Sequence, residues 1–376
     1  MKNEELRIIH FIIIHYPIIH SKSMCDKTLT GPPENKNKVN AERYASLDGL
    51  RAYAALGIVL MHVLSNISVK PSANYLTGEL IPFFTDFTLL FMIVSGFSLC
   101  CGYYRRIKDG TITPANFYKR RYARILPFFA TLCLIDLVVS PSLGSLYEVF
   151  ANITLCFGLL PPSTEVHVIG VGWFLGIVFL FYMLFPFFVF MLDNRRRAWF
   201  SFAVALVFAW LTIVYYSDPG RRCMVFCAPL FVAGGIAYLY RERIVEFGKR
   251  HPVLSVVSTV VITVAYFAFR KQIPGGVMTY TAELALFTLW LVYAVGSADV
   301  VLNNRVVRYL SGISMEIYLS HMLIFRVVER LHLENTITQN DLFYAVTSLL
   351  TIMGVICFAH VMKYYMLKPV VRRMER

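Results

Sequence analysis

From residue 46 onward the chain is a succession of apolar runs separated by short polar or charged clusters. Each run is close to the roughly 20 residues that carry a helix across a bilayer. Ten spans are predicted, with about three residues of latitude at each end. They are 50–69, 83–104, 122–140, 170–192, 198–216, 222–240, 252–270, 278–297, 308–325 and 341–366. Between the third and fourth, Tyr147–Leu160 is apolar but short and ends in Pro161-Pro162, which suits a re-entrant or interfacial segment. The predicted class is therefore all-α, a polytopic transmembrane helical bundle of about ten transmembrane helices plus that one extra segment.

The first 45 residues break the pattern. Arg7 to His20 contains Ile8, Ile9, Phe11, Ile12, Ile13 and Ile14, but His10, His15, Pro17 and His20 interrupt it. It is too short to span, and no small-residue cleavage site follows, which argues against a signal peptide. An interfacial helix, or a stretch upstream of the true start, fits better. Thr30 to Arg43, with Pro32 and Pro33, reads as a linker. Residues 1–45 are expected to be an N-terminal cytoplasmic tail and linker, and 46–376 one integral membrane domain with no appended soluble domain. No internal repeat of the inverted-transporter kind is visible.

Composition agrees with this division. Only 16% of the residues are charged and 57% are hydrophobic, whereas a soluble domain carries about 25% charge. The formal charge of +13 needs no nucleic-acid partner, because Lys and Arg collect where cytoplasmic loops fall. With both termini cytoplasmic, 29 of the 36 Lys and Arg lie on the inner side and seven on the outer. None of the eight cysteines forms a C-x-x-C pair or a zinc-like array, so neither a disulfide framework nor a metal site is expected. Cys223 and Cys227, one turn apart, read as small core residues.

Three clusters could carry chemistry. The first runs from Ser46 through Leu47-Asp48-Gly49-Leu50-Arg51 to His62. Eleven residues separate Arg51 from His62, about 16 Å along a helix axis and within about 20° of three whole turns. One face would then present a cation at the membrane surface and an imidazole near mid-depth. An ionisable group at that depth costs roughly 2–3 kcal/mol or more when charged and marks a functional path by default. A neutral imidazole in a dry site is also a good general base. The alternative is a histidine packed between helices and satisfied by a neighbouring hydroxyl or carbonyl.

The second cluster is Phe117-Tyr118-Lys119-Arg120-Arg121-Tyr122-Ala123-Arg124-Ile125-Leu126-Pro127. Arg121 and Arg124 share a face near a helix start, where guanidinium groups clamp phosphate. Ordinary positive-inside charge accounts for Arg105 and Lys108. In the third, Ser314, Tyr318 and His321 share one face while Glu316 points elsewhere. Glu316 and His321 should face a polar interior, either for chemistry or to hold helices together. Asp86, Asp136 and Glu283 fall near outer ends of spans, where water can reach them. Val94-Ser95-Gly96-Phe97 offers small residues for close approach of a helix or ligand.

With these motifs in order, the chain resembles the acyltransferase-3 family of integral membrane acyltransferases, over about residues 45–367. The resemblance implies a ten-helix fold in which acyl-CoA, usually acetyl-CoA, enters from the cytosol and an acceptor hydroxyl toward the outer side receives the acyl group. His62 would be the catalytic histidine, and Arg51, Arg121 and Arg124 the functional arginines. Arg120, Ser95, Trp173, Tyr318, His321 and Glu316 lie in or beside the matched motifs and are expected to contact substrate, with no metal ligand among them. One departure is plain. Many members carry an acidic pair after the central tryptophan, and Val178 and Phe179 stand there in Trp173-Phe174-Leu175-Gly176-Ile177-Val178-Phe179.

The expected activity is O-acyl transfer, acetyl transfer above all, from acyl-CoA to a cell-envelope carbohydrate or lipid-linked glycan in a bacterial plasma membrane. The rival reading is a transporter or flippase whose intramembrane His, Glu and Arg line a sugar or lipid-linked substrate's path. The Arg51–His62 face combined with a one-sided arginine pair favours the enzyme.

Overall fold

The computed structural model describes residues 44–139, 141–159, 170–216, 221–297 and 299–375. The expected tail, with its interfacial stretch and linker, and Pro161-Pro162 lie outside the described residues, apart from Tyr44 and Ala45. Helix α1 (Leu47–Asn66) is the element around which the others gather. Its buried positions include Ala52, Ala54, Ala55 and Gly57, so partners can approach its backbone closely. The chain turns extended at Ile67. Lys70 then folds back, donating to the carbonyls of Leu64 at 2.7 Å and Ser65 at 2.8 Å, which would otherwise be left without partners at the helix end.

Helix α2 (Leu76–Lys108) is long and irregular, with π-helical turns at Leu76–Leu80 and Cys100–Tyr104. It packs on both α1 and α7 (Met224–Leu239). The α2–α7 contact explains one small-residue motif. A methyl group at Gly96 would strike the Phe231 backbone, and one at Gly234 would strike the Ile93 backbone. Gly96 therefore serves the helix contact while its neighbour Ser95 faces the cavity described below.

Helix α3 (Pro114–Val139) precedes α4 (Leu143–Ile153), an 11-residue helix that overlaps the segment expected not to span, Tyr147–Leu160, from Tyr147 on. At about 1.5 Å per residue it is too short to cross. Then come α5 (Gly170–Met191), α6 (Arg195–Tyr215), α7, and α8 (Arg241–Arg250), which is bent 67° from α7. Asn194 caps α6 by accepting from the Arg197 amide at 2.9 Å. Helices α9 (Pro252–Gln272) and α10 (Val277–Gly296) follow. The chain closes with α11 (Arg305–Gly312), α12 (Ser314–Glu329), α13 (Asn340–Met366) and α14 (Lys368–Glu375).

Eight of these helices are long and apolar enough to cross a membrane, and nine if α7 and α8 form one broken span. The count falls short of ten because the expected span 308–325 is two pieces. The helix breaks at Ile313 (φ −112°, ψ 14°), and α12 has only 16 residues. Its polar Glu316, Ser320 and His321 point into protein, not lipid. The peripheral helices show the opposite character. Along α9, Val253, Leu254, Val257, Val260, Val261 and Val264 are all exposed. An apolar face of that length is stable only against lipid.

Asp86 and Glu283 also depart from expectation. Each is only 6% exposed, so water does not solvate them. Arg221, in the segment before α7, reaches α2 to pair with Asp86, and Tyr266 of α9 reaches toward Glu283 at 3.4 Å. Asp136 is half-buried. All seven described cysteines are free thiols, with Cys227 buried and Cys223 partly so; Cys25 lies outside the described residues.

Candidate active site

At the Arg51 end of α1, helices α1, α2, α3, α5, α11 and α12 enclose a cavity of about 410 Å³. Arg51, Arg121, Arg124 and Arg308 line it, against one carboxylate, Asp48. Arg51 is held on two sides. It donates to the Ser98 hydroxyl of α2 and lies 3.5 Å from Asp48 Oδ1. Asp48 also accepts from Ser311 Oγ of α11 at 2.8 Å, so one carboxylate ties α1 to α11. Arg121 donates to the Tyr103 hydroxyl at 2.6 Å, and its guanidinium lies 4.7 Å from the Tyr103 ring centroid and 5.7 Å from that of Tyr182. Such stacking orients a guanidinium without neutralising it. Arg121 Nε is buried and has no hydrogen-bond partner. A donor left in that state is costly unless a ligand completes it.

The rest of the lining includes an aromatic and apolar set, Phe91, Phe174, Leu175, Val178 and Tyr318. Tyr318 is tethered there, its hydroxyl donating to the Val171 carbonyl at 3.0 Å. Val178, at the first place of the missing acidic pair, contributes to this wall, whereas Phe179 turns away onto the Tyr122 ring at 4.6 Å.

Farther along α1 and α12 stand two imidazoles, His62 and His321, with ring centroids 4.8 Å apart. His62 Nδ1 lies 3.0 Å from the Ile58 carbonyl and His321 Nδ1 2.6 Å from that of Tyr318. A carbonyl only accepts, so Nδ1 carries the proton in each ring and Nε2 the lone pair. His62 is partly exposed, whereas His321 is fully buried and its Nε2 has no partner. Neither imidazole is among the described residues that line the arginine cavity. Tyr318 stands between the two regions, lining the cavity with its ring centroid 6.0 Å from that of His321.

The cavity thus gathers Arg51, Arg121, Arg124, Ser95 and Tyr318, while His62 and His321 stand together off its lining. Three other expected residues lie elsewhere. Arg120 is exposed and off the cavity, because it sits beside Arg121 on a different helix face. Trp173 packs edge-on against Phe174. Glu316 points away from this cavity and pairs with Lys363 of α13 at 2.8 Å. Sequence reading missed Ser98, Tyr103, Tyr182 and Arg308. Arg308 belongs to a short helix where a span was expected, and the two tyrosines are indistinguishable from their apolar neighbours by pattern alone. Among the described residues no group of three or more His, Cys, Asp or Glu is placed to hold a metal ion.

Comparison with known proteins follows the same stretch of chain. Residues 44–362 match a family described as acyltransferase domain. The chain is 31% identical over 128 residues to "Protein 2 in picA locus" of Rhizobium radiobacter, covering 32% of this chain and 62% of that relative, less than two thirds of its length. It is 26% identical over 323 residues to "Acyltransferase MdmB" of Streptomyces mycarofaciens, covering 77% of this chain and 81% of that one. No solved structure matches the chain.

Proposed function

Since the chain belongs to the acyltransferase 3 family, we propose that this membrane acyltransferase takes an acyl group, acetyl in the first instance, from cytosolic acyl-CoA to a hydroxyl of a cell-envelope carbohydrate or lipid-linked glycan. The observation that carries the reading is the cavity with four guanidinium groups, one of them with a buried, unpartnered N–H. Such a site favours a polyanion, and the phosphates of CoA supply one. The bias of Lys and Arg toward one side supports both termini being cytoplasmic and the arginine mouth facing the acyl-CoA pool, in what we take to be a bacterial plasma membrane.

The chemistry then divides along α1. The phosphates rest among the arginines while the pantetheine arm carries the thioester past the aromatic lining, which requires Tyr318 to swing aside. His62 Nε2 takes the proton of the acceptor hydroxyl, whose oxygen attacks the thioester carbonyl. The C–S bond breaks, an ester forms, and the CoA thiolate leaves with the proton returned from the imidazolium. Radiolabelled acetyl-CoA offered to the purified protein should be turned over, and His62→Ala should abolish turnover while leaving acetyl-CoA binding in place. Absence of both binding and turnover in the native protein would favour the transporter reading.

A further inference from the structure

Arg124 lines two cavities. The second, of about 240 Å³, lies between α3, α12 and the junction of α13 with α14. Its polar lining is Arg124, Glu316, Lys363, Lys368 and Arg372. Lys363 is already engaged, 2.8 Å from Glu316 Oε1 and donating to the Gly312 carbonyl at the end of α11. Arg124, Lys368 and Arg372 have no carboxylate partner among the described residues. Glu316 is only 4% exposed, and its second oxygen, Oε2, is buried with no hydrogen-bond partner. This cavity therefore offers three uncommitted cations beside one buried, unsatisfied acceptor.

The sizes matter here. The first cavity, at about 410 Å³, lies near the lower end of the roughly 300–1,000 Å³ that holds a drug-sized ligand. Acyl-CoA is larger than that, so its nucleotide end must continue past the first cavity, and Arg124 is where the two meet. We propose that the second cavity is the nucleotide subsite of the donor. Arg124, Lys368 and Arg372 hold the phosphate monoester on the CoA ribose, and Glu316 Oε2 accepts from a ribose hydroxyl or the adenine amino group. The assignment rests on acyl-CoA being the donor. A phosphate in an anionic lipid headgroup has similar chemistry, and the basic helix α14, with Lys368, Arg372 and Arg373, could reach one at a membrane surface.

The full-length protein in nanodiscs distinguishes these sources. The Michaelis constant is measured for acetyl-CoA and for acetyl-3′-dephospho-CoA, in neutral phosphatidylcholine discs and in discs containing phosphatidylglycerol. The native protein should prefer acetyl-CoA by about tenfold, the scale of one or two charge-assisted hydrogen bonds. The Lys368→Gln/Arg372→Gln variant should raise the constant for acetyl-CoA and bring the two donors close to parity, in both kinds of disc. A native protein indifferent to the 3′-phosphate, or a variant that impairs both donors alike, would overturn the subsite. A variant defect confined to the anionic discs would assign the cavity to lipid and overturn it as well. Failure of the native protein to turn over either donor would instead remove the donor assignment itself.

Discussion

His62 and His321 face each other from α1 and α12 with ring centroids 4.8 Å apart, each with its Nδ1 proton committed to a backbone carbonyl of its own helix. Both therefore present an Nε2 lone pair, and two bases share one region. His62 is the one left partly exposed, which suits it to meet an acceptor hydroxyl. His62→Ala is expected to lower kcat by about 10²- to 10⁴-fold, the usual contribution of a positioned general base. His321→Gln, which removes the second basic nitrogen but keeps a polar group in place, should lower kcat by a smaller factor. Initial rates of acetyl-CoA turnover by the two purified variants check this, and equal losses would contradict the division of roles.

Arg121 and Arg120 are adjacent in sequence and opposite in placement, so they form a natural pair of variants. Arg121 stacks on Tyr103 and Tyr182, lines the cavity and keeps a buried N–H without a partner; Arg120 is exposed and off it. Arg121→Gln should raise KM for acetyl-CoA by about 10- to 100-fold, corresponding to the roughly 1.5–3 kcal/mol of a hydrogen bond to a charged group. Arg120→Gln should change it by less than about twofold, in line with a screened surface charge. Donor affinity read by titration calorimetry would decide the matter, and a similar loss in both variants would mean that general positive charge, not the cavity, attracts the donor.

Tyr318 touches both the arginine cavity and the imidazole region. Its ring lines the cavity 6.0 Å from that of His321, and its hydroxyl donates to the Val171 carbonyl. Tyr318→Ala should remove that ring and let the thioester and water meet the histidines without an acceptor. Acceptor-independent hydrolysis of acetyl-CoA is expected to rise severalfold, and adding His62→Ala to this variant should cancel the rise. Hydrolysis that stays at the native rate in a variant that still binds acetyl-CoA would show that Tyr318 is only a wall.

Much of this arrangement was legible before any coordinates. Arg51, Arg121 and Arg124 are charges at the edges of apolar runs, where hydrophobic pattern makes them conspicuous, and the structure places all three on one cavity. The eleven-residue spacing of Arg51 and His62 gives one helix face, but helix geometry says nothing of what lies between them. Tyr318 and Phe91 meet edge to face on the cavity wall, 6.4 Å between ring centroids, brought together from helices far apart in the chain. Arg308 was hidden because local apolarity gives no warning of the break at Ile313, which makes α11 a short helix. Glu316 is expected near substrate; it lies off the first cavity, on the second, and pairs with Lys363, 47 residues later, a pairing that only tertiary packing creates.

Tertiary packing also decides the state of Asp86 and Glu283. The two carboxyl groups are each 6% exposed and within hydrogen-bonding reach of one another. Arg221 compensates them, pairing with Asp86 and donating to the Thr85 carbonyl at 2.8 Å. Removing one partner of a buried ion pair leaves an uncompensated charge and costs about 3–5 kcal/mol, whereas removing both is often close to neutral. Arg221→Gln should therefore lower the unfolding midpoint in detergent markedly, and Arg221→Gln/Asp86→Asn should recover most of the loss. The double-mutant cycle isolates the pair because each single change leaves the other group in place. A coupling near zero would mean that Arg221 only decorates the end of α2, and that Asp86 is accommodated there by some means other than its charge.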